Sequence, residues 1–128
     1  MIRADDDHAY TQGPVLIVNL IRTQPGMFEE YMRYLGSTYK HLMDEYKKQG
    51  VITDYAIYQA RPLDPQDADL ILTVTYRNVA AFDDLQERTD PTAKLAFGSL
   101  AKAASASADR GKLRQEIGSQ TVRQLILK

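Results

Sequence analysis

Residues 15–21 and 51–60 form two apolar, strand-like runs separated by one long helical stretch, residues 25–49, and a weaker copy of the same order follows. A chain patterned in this way is constrained to a βαββαβ order. Val15, Leu16, Ile17, Val18, Leu20 and Ile21 are apolar on both parities, interrupted by Asn19 alone, as in a strand covered on both faces. The stretch after it carries Phe28, Tyr31, Met32, Leu35, Tyr39, Leu42, Met43 and Tyr46 at helical spacing. The opposite face holds Glu29, Glu30, Arg33, Lys40, Asp44, Lys47 and Lys48, with Glu29 and Arg33, and Lys40 and Asp44, placed to pair one turn apart. Pro25 is expected to open this helix, and Gly50 to close it with a left-handed residue.

The second half repeats the pattern less regularly. Residues 51–60 lead through a turn-rich connection, residues 61–69, into a strand at 70–77, which makes the two strands antiparallel. Asn78 is a candidate N-cap for a short helix containing Val79, Phe82 and Leu85, and Asp90 with Pro91 reads as the cap and first position of another, from Thr92 to about Ala108. The second crossover is therefore expected to be a broken helix. Gly118 is expected to release the last strand, residues 120–127. Right-handed crossovers in this order give a four-stranded antiparallel sheet with both helical crossovers on one face. The other face keeps enough apolar side chains that pairing with a second copy of the sheet is expected, so a homodimer is predicted.

Length and composition narrow the possibilities. The 128 residues fit one domain, residues 14–128, preceded by a polar arm at 1–13. A chain of this size buries enough surface to fold without staples. The absence of cysteine excludes thiol catalysis, zinc-thiolate sites and disulfide frameworks. A formal net charge of −1 points away from a nucleic-acid partner, and the small basic cluster of Arg110, Lys112 and Arg114 reads as a solvated helix end. No apolar run is long enough to span a bilayer and no signal peptide is visible, which makes the cytoplasm the default compartment, with secretion or the periplasm the alternative if a leader was removed. Neither a phosphate-binding loop nor a dinucleotide fingerprint occurs. Asp5, Asp6, Asp7 and His8 carry no periodicity that would fix a metal site. The third strand also lacks the glycine and exposed aromatics of an RNA-recognition motif.

The strand followed by Thr23, Gln24, Pro25, Gly26, Met27, Phe28, Glu29, Glu30 and Tyr31, the restart at Gly50, Val51 and Ile52, and the broken second crossover with Phe82 near its start resemble the dimeric α/β barrel superfamily. That superfamily, which includes the antibiotic-biosynthesis monooxygenases, has a ferredoxin-like α+β fold, and the resemblance covers about residues 14–128. It implies two protomers packed sheet against sheet, a ligand cavity bounded by sheet and helices, and activities that range over cofactor-free oxygenases, haem-dependent enzymes, isomerases and decarboxylases.

The residues that would make such a cavity chemical are few. Asn19 is an amide in an otherwise apolar strand, which must find partners in a neighbouring side chain, a ligand or water. Tyr34, Thr38, His41 and Glu45 fall on one helical stripe, so that His41 reads either as a general base oriented by Glu45 or as a boundary residue facing solvent. Tyr34, Tyr58 and Tyr76 are candidate pocket phenols, with Tyr31, Tyr39, Tyr46 and Tyr55 as further rings that line a cavity or fill the core. Arg123, and with it Arg22 and Arg77, lies where a strand-end guanidinium holds an anionic ligand or reaches solvent. No cofactor is expected, because haem would find only His41 on the helix and no thiolate.

The resulting expectation is a homodimer that binds a small, partly apolar, aromatic or carbonyl compound. One form of it is a cofactor-independent monooxygenase or isomerase with Asn19 and the tyrosines stabilising negative charge and His41 moving a proton. The alternatives are a non-catalytic ligand-binding or sensing homodimer, and an assembly protein with a filled interior.

Overall fold

The helix after the first strand begins later than its proline suggests. Gln24, Pro25, Gly26 and Met27 form a tight turn closed by the Met27 N–H donating to the Gln24 carbonyl at 2.9 Å, with Gly26 at φ +77°. Proline second and a left-handed glycine third are what a type II turn requires, so Pro25 shapes the approach and the first helix, α1, runs Phe28–Tyr34. A π-helical turn, Leu35–Tyr39, joins it without interruption to α2, Lys40–Lys48. Its signature is the Lys40 N–H donating to the Leu35 carbonyl, five residues back, while the Ser37 hydroxyl bonds back to the Arg33 carbonyl at 2.8 Å. Gly50 closes the helix at φ +76°, with Val51 N–H donating to the Tyr46 carbonyl and Gly50 N–H to that of Lys47, a Schellman cap. On the helix surface Lys40 pairs with Asp44 at 2.8 Å as expected, whereas Arg33 takes Glu30 rather than Glu29.

A computed structural model of the protein describes residues 8–83, 85–97 and 110–128, with the side chains of residue 86 and residues 93–97 left aside. The strands are β1 (Tyr10–Thr23), β2 (Asp54–Gln59), β3 (Leu70–Tyr76) and β4 (Arg114–Leu127), all paired antiparallel in the order β2-β3-β1-β4. With its helices on one face, this is the ferredoxin-like α+β fold. Two strands exceed their expected bounds: central β1 starts at Tyr10 rather than Val15, and edge strand β4 at Arg114 rather than after Gly118. Gly118 lies within β4, beside a register shift at which Leu20 pairs with Gly118 but Ile21 with Glu116. That shift is a β-bulge, the other common meaning of a glycine in a strand pattern.

Asn78 caps its helix as expected, its side-chain oxygen accepting from the Ala81 N–H at 3.1 Å, and the capped element is a 3₁₀ turn, Val79–Phe82. The break in the second crossover comes at Asp83, which is extended, and α3 then runs Leu85–Phe97 straight through Asp90 and Pro91. Proline lacks the N–H that would have bonded back one turn, but helical packing carries the chain past it. The remainder of the expected Ala/Ser-rich helix, residues 98–108, lies outside the described residues.

Two packed clusters join helices to sheet on the same face. The first contains Ile21, Tyr31, Leu35, Leu70 and Leu72; the second contains Tyr46, Val51, Ile52, Val74 and Tyr76, with Phe82 and Leu85 packed against it. On β1 the odd positions, Val15 and Ile21 above all, are buried beneath the helices, whereas Leu16, Val18 and Leu20 on the open face are only half-buried. Leu35 is 1% exposed, and truncating it to alanine should lower unfolding free energy by about 2–5 kcal/mol in denaturant titration. Gly50→Ala, which places a β-carbon on a left-handed residue with open space around it, should cost about 1 kcal/mol by backbone strain alone.

Candidate functional site

A polar cavity of about 110 Å³ interrupts the first core cluster, walled by Asn19 and Ile21 of β1, Leu72 of β3, Tyr31 and Tyr34 of α1, Tyr39 of the π turn, and Arg110, Arg114 and Glu116 around the start of β4. Each element delivers its residue for an identifiable reason. Asn19 shares the parity of Val15 and Ile21, so its amide points beneath the helices, flanked across the sheet by Leu72 and Ser119. Among the described residues, no side chain or backbone group bonds to that amide.

Tyr31, Leu35 and Tyr39 recur every four residues and share one face of the helix, with Tyr34 beside it. One residue inserted into a helix rotates everything after it by about 100°. The Tyr31 and Tyr34 rings stack at 5.8 Å between centroids and 23° between planes, and Tyr39 meets Tyr55 edge-on at 6.1 Å. The same rotation breaks the expected stripe of Tyr34, Thr38, His41 and Glu45. Tyr34 faces the cavity, whereas His41 is exposed on α2 and is not among the residues lining it.

The arginines arrive by a turn and a bulge. Residues 110–113 form a turn closed by Leu113 N–H to the Arg110 carbonyl at 2.9 Å and fastened to β1 by Gln24 N–H to the Leu113 carbonyl at 2.8 Å. The bulge beside Gly118 then changes the parity of β4, so that Glu116 opposes Ile21 and Arg114 opposes Thr23, both on the helix face. Arg110 lies over the Tyr34 ring at 5.0 Å, a cation–π contact. Arg114 is 19% exposed; its Nη1 lies 3.8 Å from Glu116 Oε2, and its Nε is buried with no hydrogen-bond partner.

Burial raises the pKa of Tyr31, Tyr34 and Tyr39 above the ordinary phenol value. For Tyr31 and Tyr34 the nearby guanidinium groups of Arg114 and Arg110 oppose that rise without cancelling it, while neighbouring tyrosines add to it at Tyr39. Among the described residues the cavity therefore presents neutral phenols, one amide, two permanent cations and the Glu116 carboxylate, an arrangement suited to holding an electron-rich oxygen.

The other residues singled out from sequence lie elsewhere. Tyr58 is 56% exposed on β2, on the open face of the sheet. Tyr76 is buried in the second cluster, 4.8 Å from Phe82, and Arg123 donates to Gln12 Oε1 at 2.9 Å beside Arg77 in an open groove near the first residues of β1. Arg22 is bound by the Gln66 and Gln115 side chains. The structure thus brings Asn19 and Tyr34 to the cavity and leaves Tyr58, Tyr76, Arg123 and His41 away from it, while Arg110 and Arg114, which read from sequence as a solvated helix end, line it.

Among the described residues, no group of three or more histidine, aspartate or glutamate side chains is arranged to hold a metal, and no helix is long and apolar enough to cross a membrane. No protein-family model matches the chain, and no curated protein matches it by sequence. Among solved structures it is similar to HapK from Hahella chejuensis, at 11% identity over 86% of this chain and 91% of that one, with a TM-score of 0.58. It is also similar to a nipsnap family protein of unknown function from Agrobacterium tumefaciens, at 7% identity over 94% and 95% with a TM-score of 0.58. PA3566 from Pseudomonas aeruginosa is 18% identical over 91% and 96%, with a TM-score of 0.52. At these identities the likeness is one of fold.

The six tyrosines with raised pKa values give the protein a defined alkaline response. Desolvation, aided by the Asp44 carboxylate that accepts its hydroxyl at 2.6 Å, pushes Tyr55 up to about 12; Tyr31, Tyr34, Tyr39, Tyr46 and Tyr76 are raised by burial. A group protonated more tightly when folded contributes its stability below the unfolded pKa and loses it as pH rises through the folded value. Unfolding free energy should therefore be unaffected by these groups below about pH 9 and should fall between about pH 10 and 12. Ultraviolet titration of the phenols should show most of them ionising together with loss of the fold, and Tyr39→Phe should make that fall shallower.

Proposed function

We propose that this protein is a homodimer that binds a small, partly apolar aromatic or carbonyl compound in the cavity between β1 and α1. The convergence of Asn19, Tyr31, Tyr34, Arg110 and Arg114 on one space in an otherwise apolar core carries this reading, because a core without a ligand has no use for so many donors. At about 110 Å³ it is smaller than the about 150 Å³ that holds benzene and far below the about 300–1,000 Å³ of drug-sized sites, so the occupant is compact and a ring would extend through the open side of the cavity. Pairing of two sheets through their open faces is supported by half-buried Leu16, Val18, Leu20, Ile71 and Val122 on that face, with exposed Tyr58 beside them.

Ligand binding without turnover is the first reading, since His41 lies off the cavity and the phenols facing it are held neutral. A cofactor-independent isomerase or oxygenase, of the kind the antibiotic-biosynthesis-monooxygenase resemblance suggests, is the second, and Glu116 in the cavity wall favours it. In that reading Asn19, Tyr31 and the guanidinium groups stabilise charge developing on a substrate oxygen, and Glu116 rather than His41 accepts the proton.

Native mass spectrometry of the freshly purified protein tests both parts. The expected species is twice 14.5 kDa carrying a small additional mass, and Val18→Glu in the middle of the open face should halve the assembly. Asn19→Leu should release the additional mass while His41→Ala retains it. A monomeric wild type would end the dimer reading, and retention of the same mass by Asn19→Leu would place the ligand elsewhere.

A further inference from the structure

We infer that the occupant of this cavity is a small organic carboxylate, bound by Arg114 through its unpartnered Nε; this rests on the reading of the cavity as a ligand site and narrows it. Three observations carry it. First, the Nε of Arg114 is buried without a partner, while Glu116 meets the same guanidinium at Nη1. The Nε edge of a guanidinium is one of the two on which a carboxylate docks, and neither Glu116 nor the Tyr31 hydroxyl, which also meets this guanidinium, supplies a partner to the Nε. A buried N–H left in this way loses the full worth of its hydrogen bond with water, and an arriving carboxylate restores it.

Second, the charges that face the space are unbalanced. Among the described residues, Arg110 and Arg114 line it with Glu116, and the other titratable groups on its wall, Tyr31, Tyr34 and Tyr39, are neutral over the physiological range. One negative charge brings the cluster to neutrality. Arg110 stacks its face on the Tyr34 ring at the same wall, so its positive charge adds to that of Arg114.

Third, the opposite wall is apolar. Ile21 and Leu72 close the cavity across from the arginines, so the anion should carry a hydrocarbon body no larger than one ring. Carboxylate is preferred to phenolate because it is ionised at neutral pH and presents two coplanar oxygens to a planar fork. Inorganic anions satisfy the charge and leave the apolar wall in contact with water.

The test compares benzoate with benzamide, its neutral counterpart of the same shape, with hexanoate as a second carboxylate and inorganic phosphate as a bare anion, by ligand-observed magnetic resonance and calorimetry. Wild-type protein should prefer benzoate to benzamide by about 10- to 100-fold, the worth of a hydrogen bond to a charged group. Arg114→Gln should bring the two within about twofold of each other, and Arg114→Lys should keep part of the preference. Should Arg114→Gln fail to fold, Arg110→Gln should weaken benzoate while leaving benzamide unchanged.

Equal binding of benzoate and benzamide, both displaced by Asn19→Leu, overturns the carboxylate inference and leaves the ligand site standing. Phosphate binding as tightly as benzoate overturns it in favour of an adventitious anion. No binding by any of the four probes to wild-type protein overturns the ligand site itself.

Discussion

The packing of Tyr31 and Leu35 against Ile21, Leu70 and Leu72 is the contact on which the rest of the molecule depends. These five side chains are nearly inaccessible to water, and they tie the centre of the sheet to the middle of the long helix. The burial fixes how far the helix can rotate, and hence which of its residues look inward. Without it the helix has weak local reasons to stay where it is, since its surface ion pairs are exposed and such pairs contribute little. The clamp of Asp69 on Thr23, through the Thr23 backbone N–H at 2.9 Å and its hydroxyl, holds the end of β1 in register beside that contact.

The cavity adjoins this contact, and Tyr31 and Ile21 belong to both. A rigid apolar base and a polar mouth built from the same side chains are useful for binding, because little reorganisation is left for the ligand to drive. The arrangement also has a thermodynamic cost. Burying a guanidinium edge without a partner works against folding, and the fold tolerates it here because the neighbouring apolar cluster supplies far more than is lost.

Much of the architecture was legible in the sequence because it rests on periodicity. Apolar runs on both parities give the central strands, the long stripe gives α1 and α2, and the glycine at 50 and the asparagine at 78 act where such residues act. The boundaries were less legible for local reasons. Pro25 serves equally as a helix opener and as the second residue of a type II turn, and only the left-handed Gly26 beside it distinguishes the two. Pro91 reads from sequence as the first position of a helix that in fact contains it. The cavity was half legible: Asn19 stands out as a polar residue in an apolar strand, and Tyr34 as an aromatic one beside the stripe. His41 lies off the cavity because 3.6 residues per turn does not hold through Leu35–Tyr39, where the helix is wider.

The bulge in β4 explains why Arg110, Lys112 and Arg114 looked like a solvated helix end. Counted back from Ser119, which opposes Asn19 on the helix face, an unbroken strand puts Ile117 on that face and turns Glu116 and Arg114 toward the open one. One extra residue beside Gly118 reverses the parity of everything before it, so Glu116 and Arg114 come to lie under the helix, next to Tyr31 and Tyr34 of α1. The single-residue insertion in the strand thus decides which charged groups face the cavity, while the one in the helix turns His41 away from it. Each disturbs a regular hydrogen-bond ladder, which is the pattern expected where local regularity has yielded to the placement of particular side chains. Removing the bulge would leave a more regular strand with Glu116 and Arg114 on the open face, so the charged wall of the cavity depends on that one irregularity.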